Sequence, residues 1–440
     1  MIKSKERPHS SEIRHGVRAS TWIPGGIAIL TLITAFLLQQ YPEVLQSFSS
    51  KMSSFSDDSF TFTVNWYDQT MDKDRKFKLT FFPRDNSVEM FDIKHQRVFL
   101  KRIVCDGLHV GDFFVGNHVV VLARRLQVLE YGDERTKHAL EPNHEATFAM
   151  VKPDGLKNLG GILELIENEG FVVSDAKMTL LSREHAALFY QEHDRRSFFG
   201  ELLEYITSGP VVALELMRSN AVSEWRKLLG PTDAAKAIQD APHSVRAKFG
   251  TDKTNNAAHG SDSPEAAARE LNFFFGNDQN KSDRGAFPQS WAKLENTTCC
   301  IIKPHAMKSK FTASIVKDIQ ASGFQIEGLQ TFHLKYEHAE EFYEIYRGIV
   351  QDYTGLVKQL SSGRCMVLAI GYGGSGSEDE EASQKFRDLV GPADPDLAKT
   401  IRPKSLRAKY GRTKDENGVH CSDLPEDAKL EVEYFFKILQ

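Results

Sequence analysis

Apolar and polar residues alternate strictly in two early runs, Phe60-Thr-Phe62-Thr-Val64-Asn-Trp66 and Phe77-Lys-Leu79-Thr-Phe81, and this period of two predicts half-buried strands. Arg84-Asp85-Asn86-Ser87 supplies turn residues before a third run, Val88-Glu-Met90-Phe-Asp-Ile93, and further strands are predicted at 119–122 and 126–131. Residues 52–140 therefore read as a small β-rich domain. Beyond residue 147 the pattern changes to strand (148–152), helix (about 159–169), strand (171–180), two helical pieces (183–206), strand (211–217), helix (220–229), a long loop and a closing helix from about 263. That order predicts an α/β (α+β) sandwich with helices laid on an antiparallel sheet in the split-βαβ arrangement.

The pattern then repeats. Phe148-Ala-Met-Val-Lys152-Pro153-Asp154-Gly155 returns as Cys299-Cys-Ile-Ile-Lys303-Pro304-His305, and Ser208-Gly209-Pro210 as Ser362-Gly363-Arg364. Arg226-Lys-Leu-Leu-Gly230-Pro231 returns as Arg387-Asp-Leu-Val-Gly391-Pro392, and Asn256-Ala-Ala-His259-Gly-Ser-Asp262 as Asn417-Gly-Val-His420-Cys-Ser-Asp423. A period this long means two tandem copies of one globular domain, at 147–276 and 298–440, joined by a linker at 277–297. Residues 1–51 form an extension with an apolar run at 27–38, preceded by Arg14 and Arg18. The run is about a dozen residues where a membrane-spanning helix needs about 20, and Pro24-Gly25-Gly26 interrupts its start, so an anchor in 22–41 is disfavoured though left open. The other readings are a partner-binding helix and an extension that initiation at Met52 bypasses.

Composition narrows the class. A chain of 440 residues corresponds to about three domains, and 41% hydrophobic with 26% charged residues suits a soluble globular protein. A formal net charge of −5 argues against a nucleic-acid partner. The five cysteines include no CxxC pair, which points to free thiols in a reducing compartment, with a single bridge also compatible. In the β domain His95, Cys105, His109 and His118 stand apart from one another and read as packed or surface residues, so this domain reads as an adaptor without chemistry. The aromatic runs 273–275 and 434–436 and Trp225 read as packing, and the acidic run 378–381 as a solvated loop.

The chemistry gathers at the repeated histidine. Asp262-Ser-Pro-Glu265 and Asp423-Leu-Pro-Glu426 read as acidic N-caps of the closing helices, which places His259 and His420 just outside a helix N-terminus, where phosphate is favoured. A neutral imidazole carries a lone pair able to attack phosphorus. Glu270 and Glu431, each eleven positions on, come back to the starting helix face after about three turns and would orient the ring. Lys152, Arg226 and Arg246 are the cations available to neutralise phosphate.

Taken in order, Lys-Pro-Asp-Gly, Ser-Gly-Pro-Val-Val-Ala, Arg-x-Leu-Leu-Gly and Asn-x-x-His-Gly-Ser-Asp resemble the nucleoside diphosphate kinase family. The resemblance implies two ferredoxin-like βαββαβ domains and ping-pong transfer of a γ-phosphate from ATP to nucleoside diphosphates through a phosphohistidine, with Mg2+ accompanying the nucleotide. It implies His259 as nucleophile, with Glu270 and Ser261 beside it. Lys152, Tyr190, Arg226, Thr232, Arg246 and Asn256 would hold phosphates and ribose, while Phe198 and Leu202 would flank the base. Residues 56–135 look like a DM-ten domain, whose presence in ciliary, axonemal and centrosomal proteins implies a microtubule or axonemal partner and a location in the cytoplasm and cytoskeleton.

The second repeat keeps Lys303, Arg387, Arg407, Asn417, His420, Ser422 and Glu431 but departs elsewhere. Asp-Gly becomes His305-Ala306, the threonine position becomes Ala393, the stacking phenylalanine falls at Asp352 or Tyr353, and the tyrosine at Tyr343 or Tyr346. A glycine- and acid-rich insertion at 371–381 precedes the Arg387 helix. Added negative charge near a polyphosphate site weakens anion binding, so this repeat is expected to be impaired and mainly structural, although His420 and Glu431 keep the opposite reading alive.

Overall fold

The structure, a computed structural model, describes residues 59–439 except 69–70, 72, 106–107, 116, 123, 141–144, 277–286 and 374–378. The extension with its apolar run, the first half of the linker and the centre of the acidic insertion lie outside the described residues. Among those described, no helix is long and apolar enough to cross a membrane.

The β domain is a six-stranded sheet of β1 (Phe60–Asp68), β2 (Lys73–Phe82), β3 (Ser87–Asp92), β4 (Arg97–Val104), β5 (His118–Val121) and β6 (Arg124–Tyr131), in the order β4-β3-β2-β1-β6-β5. The alternation read in the sequence is the core face: Phe60, Phe62, Val64, Phe77, Leu79 and Phe81 are all buried together. Strand β4 escaped prediction because its residues are largely exposed and show no alternation. Helix Glu134–Leu140 closes the domain, with the Thr136 hydroxyl accepting from Thr61 N.

The repeats share one eight-stranded sheet. The first contributes β7 (Glu145–Val151), β8 (Val172–Thr179), β9 (Val211–Arg218) and β10 (Ala258–Gly260). The second contributes β11 (Thr297–Ile302), β12 (Phe324–His333), β13 (Arg364–Tyr372) and β14 (Val419–Cys421). The order β10-β7-β9-β8-β12-β13-β11-β14 gives each repeat the ferredoxin-like arrangement 4-1-3-2, antiparallel throughout, and joins the two at β8 and β12. Strands β11 and β13 are buried along almost their whole length because both faces are covered, whereas the seam strands β8 and β12 carry polar residues. On β7, Ala149 and Val151 enter a core common to both repeats, whereas Phe148 and Met150 face a core of the first repeat alone.

That common core binds the repeats together. Leu159, Ile162, Leu163 and Ile166 of helix Leu159–Asn168 pack with Ile315, Val316 and Ile319 of helix Thr312–Ala321. The helices approach so closely that a Cβ at Gly160 would stand 2.5 Å from the Lys317 backbone. At the sheet junction Ala176 N donates to Thr331 Oγ1, and that hydroxyl donates to the Asp175 carboxylate. The described part of the linker seals the same seam: Trp291 N donates to Met178 O, Lys177 Nζ to Pro288 O and Thr179 Oγ1 to Gln289 O. The β domain meets the second repeat through Arg125, whose guanidinium donates to the carbonyls of His333 and Leu334.

Three local readings are corrected. The loop after 229 contains two short helices, Ala234–Asp240 and Val245–Phe249, capped by Asp233 and Ser244. The closing helix Pro264–Phe275 is capped by Ser263, which accepts from Ala266 N, so Asp262 is left free to face the site. In the second repeat Gly371 and Tyr372 belong to β13 and residues 379–381 to the helix Asp379–Val390, which narrows the insertion to 373–378. All five cysteines are buried and none is in a disulfide, with Cys300 and Cys421 facing each other across β11 and β14.

Candidate functional site

His259 lies inside β10, paired with Met150 of β7, and not at a helix terminus. Residues two apart on a strand share a face, so the side chains of His259 and Ser261 point the same way, toward Glu270 in the second turn of the closing helix. His259 Nε2 lies 3.1 and 3.2 Å from the two Glu270 oxygens, and Ser261 Oγ donates to Oε2 at 2.6 Å. The spacing of eleven thus brings the pair together by strand-to-helix packing rather than by helical periodicity. With Nε2 engaged by the carboxylate, Nδ1 carries the lone pair and makes no hydrogen bond among the described residues.

The ring is clamped at its edges by Phe189 and Tyr190, with centroids 5.4 and 6.0 Å away. Its main chain is held too: Trp225, fully buried, donates Nε1 to His259 O at 3.3 Å. A Cβ at Gly260 would collide with that indole and come within 2.7 Å of Leu229, so the residue after the histidine has no room for a side chain.

In front of the ring, about 22% of whose side chain is exposed, lies a cavity of about 310 Å³. Arg226, Thr232, Arg246, Asp262 and Tyr190 border it. Arg246 donates to the carbonyls of Gly230 and Ala258, which fixes the guanidinium while its Nε stays buried without a partner; the buried Tyr190 hydroxyl also lacks one. Burial and the neighbouring Arg226 lower the Arg246 pKa, and burial and Glu270 raise that of Tyr190. Two fixed polar groups left unsatisfied beside two arginines form a receptacle for an anion that brings its own acceptors.

The Lys-Pro-Asp-Gly segment builds the adjoining wall. Lys152 Nζ donates to Asn256 Oδ1 at 2.8 Å and to Thr254 O, and Asn256 Nδ2 donates to the carbonyls of Thr232 and Lys253. Burial, helped by Arg246, pushes the Lys152 ammonium down to about 8. Asp154 accepts from Ala257 N and from the Tyr205 hydroxyl, and so holds Ala257 at φ 65°, a left-handed conformation strained for any side chain. Asp154, Tyr205, Trp225, Glu192 and Asp262 have places here that motif reading did not give them. Comparison of the repeats carried a signal for the first two, since Asp154 and Tyr205 become His305 and Gln359 together. Phe198 and Leu202 lie outside the cavity beside His259; Phe198 is about half exposed ahead of helix Phe199–Ile206.

The second repeat preserves the dyad and buries its histidine more deeply. His420 Nε2 lies 2.9 Å from Glu431 Oε2, which also accepts from Ser422 Oγ at 2.8 Å. Only about 6% of the His420 side chain is exposed. Tyr343 stands where Tyr190 does, 5.7 Å from the imidazole, which resolves the tyrosine position, and Asp352 takes the place of Phe198 at a helix start. Arg387 and Tyr346 both bond the Asp423 carboxylate, at 2.6 Å each, which ties down the arginine matching Arg226. Lys303 donates to Asp415 O, while Asn417 Oδ1 is buried without a partner; the lysine–asparagine bond of the first repeat is lost. Arg407 keeps its two carbonyl bonds, to Val419 and Gly391. His305 takes over the Asp154 role as a neutral ring, accepting from Gly418 N and bonding Gln359, and burial holds it down to about 4. Burial and Arg407 bring Lys303 down to about 7.

The family model for nucleoside diphosphate kinase matches residues 145–280 and 296–439. The rat protein called nucleoside diphosphate kinase homolog 7 is 44% identical over 380 residues, which cover 86% of this chain and 93% of that protein. The nucleoside diphosphate kinase of Deinococcus radiodurans is 48% identical over 134 residues, 30% of this chain and 95% of its own. The solved structure of the Aquifex aeolicus nucleoside diphosphate kinase also matches, with 46% identity, 29% of this chain and 92% of its own covered, and a TM-score of 0.29. With both repeats matched, the chain belongs to the nucleoside diphosphate kinase family.

Proposed function

We propose that the first repeat is a working nucleoside diphosphate kinase in which His259 carries the phosphoryl group between nucleotides. The observation that carries this is the imidazole held through Nε2 by Glu270, with its other nitrogen free beside a cavity bearing Arg226 and Arg246. Nδ1 attacks the γ-phosphorus of a nucleoside triphosphate such as ATP; the P–N bond forms as the bond to the bridging oxygen breaks, and the diphosphate leaves with that electron pair. The positive charge appearing on the ring is matched by Glu270, whose grip on Nε2 also fixes the tautomer. In the second half-reaction a terminal oxygen of another diphosphate attacks the same phosphorus and releases the imidazole. Arg226, Arg246 and Lys152 spread the phosphate charge, and Thr232, Asn256 and the Tyr190 hydroxyl position it.

Mg2+ suits this site as a companion of the nucleotide, since such an ion keeps several waters and takes one or two carboxylates beside phosphate oxygens. Asp262, in the cavity lining, is the carboxylate that would hold its water shell, since Glu192 there pairs with Arg269 at 2.7 Å. When bound, the ion would offset phosphate charge.

Full-length chain treated with γ-labelled ATP should acquire an acid-labile label that His259→Ala removes and His420→Ala leaves largely in place. Undiminished labelling of the His259 variant would overturn the mechanism.

A second, compatible reading makes the β domain and second repeat a docking platform for microtubule or axonemal proteins in the cytoskeleton of cilia and centrosomes. It is favoured by the buried His420 and by edge strand β4, which exposes Val98 and Val104. Co-sedimentation of the full chain with stabilised microtubules tests it, and failure to bind microtubules or axonemal fractions counts against it.

A further inference from the structure

A second cavity, of about 590 Å³, lies beside the Thr254 carbonyl that Lys152 bonds. Glu201 and Tyr205 of helix Phe199–Ile206 form one side; Asp233 and residues 251–255 form the other. Asn256 stands between the two linings, its amide donating to Thr232 O of the first and Lys253 O of the second. Lys152, donating to Thr254 O, stands at the same junction. One asparagine separates the two linings, so this second space is within reach of the nucleoside end of a nucleotide whose phosphates sit on Arg226 and Arg246.

The polar groups there are not equally available. Asp252 is consumed by its own loop, accepting from Thr254 N, Asn255 N and Asn255 Nδ2. Asp233 caps a helix through Ala235 N and pairs with Lys253 at 3.5 Å. Tyr205 is bound to Asp154. Glu201 makes no hydrogen bond or ion pair among the described residues. It lies on one helix side with Phe198 and Tyr205, three positions after the first and four before the second; Glu201 and Tyr205 line the second cavity, and the half-exposed Phe198 ring stands one turn ahead of Glu201.

We infer that Glu201 selects the base, favouring guanine nucleotides. A base lying on the Phe198 ring presents its edge to the carboxylate. Two parallel acceptor oxygens match two adjacent donors, and guanine alone offers them, as N1–H and the N2 amino group. Uracil presents one ring N–H flanked by carbonyls, and cytosine a single amino group beside an acceptor. The carboxylate is exposed, so solvent holds the effect near the low end for a bidentate pair, about fivefold.

This inference rests on the first repeat binding nucleotides, and the test separates the two. Full-length protein and Glu201→Gln are compared for kcat/KM with GDP, CDP and UDP as acceptors and ATP as donor. The amide replaces one acceptor by a donor facing guanine's own N–H groups, so the GDP to UDP ratio should fall about fivefold while CDP and UDP change little. A ratio unchanged by the substitution, with transfer intact, overturns the inference and leaves the His259 mechanism standing. If neither protein transfers phosphate, the mechanism falls, and equilibrium binding of GDP against UDP to the same two proteins decides the role of Glu201. Equal preference in that measurement overturns it.

Discussion

Cysteine at position 260 should dislodge the His259 strand, and a second change, Trp225→Phe, should restore it. The repeats solve one packing problem in two ways. In the first, a full indole at Trp225 lies against Gly260; in the second, the smaller Phe386 occupies the helix position and Cys421 the strand position, and all four residues' neighbourhoods belong to the common core. A side chain at 260 meets the buried indole at 2.3 Å and Leu229 at 2.7 Å. Overpacking of this kind costs about 1–3 kcal/mol, and losing the Trp225 bond to His259 O adds about 1 kcal/mol. For a cooperative unit built on a shared core of two repeats, that corresponds to a fall of about 4–10 °C in Tm. Gly260→Cys should also lower phosphotransfer, because the shifted carbonyl carries the imidazole away from Glu270. The double variant should recover at least half of the lost stability, a coupling of about 1 kcal/mol or more between the two sites. Thermal unfolding and steady-state transfer on wild type, both single variants and the double variant provide the measurement. If the double variant is no more stable than Gly260→Cys alone, complementary volume is not what fixes this strand.

Glu270→Ala should lower kcat on the order of a hundredfold with a smaller effect on KM, since the carboxylate acts on the ring and not on the bound nucleotide; this is read from the kinetics of phosphohistidine formation. The Lys152 ammonium, lowered to about 8, is charged below that pH and loses its charge as pH rises through it. Nucleotide KM should therefore climb above pH 8 in wild type and stay flatter in Lys152→Arg. His305, held down to about 4 from 6.5, is neutral when folded, and the unfolded chain takes up the proton first. Stability should fall as pH drops from about 6.5 toward 4 and level off below, a slope that His305→Gln should reduce in urea titrations. Gly160→Val, which forces a side chain into the Lys317 backbone 2.5 Å away, should destabilise both repeats together by about 1–3 kcal/mol or more; unfolding of one repeat alone would refute a shared core.

By itself the chain determined the composition of its units. Alternation in 60–66 and 77–81 reports burial on one sheet face, and the doubled Lys-Pro and Asn-x-x-His segments report one domain written twice, because burial pattern and chemical need are local properties. The His259–Glu270 pair was legible from its spacing, though the reason was not: β10 had to be a strand for His259 and Ser261 to share a carboxylate. Tertiary structure alone decided which partners each group met. That β8 pairs with β12 rests on residues such as Asp175 and Thr331, more than 150 positions apart, whose match no local period encodes. The same holds for the fate of the second histidine. His420 keeps its motif, yet it is far less exposed than His259, and Arg387 and Tyr346 converge on Asp423 from separate elements, since access to an imidazole depends on what folds over it and not on the residues beside it in the chain.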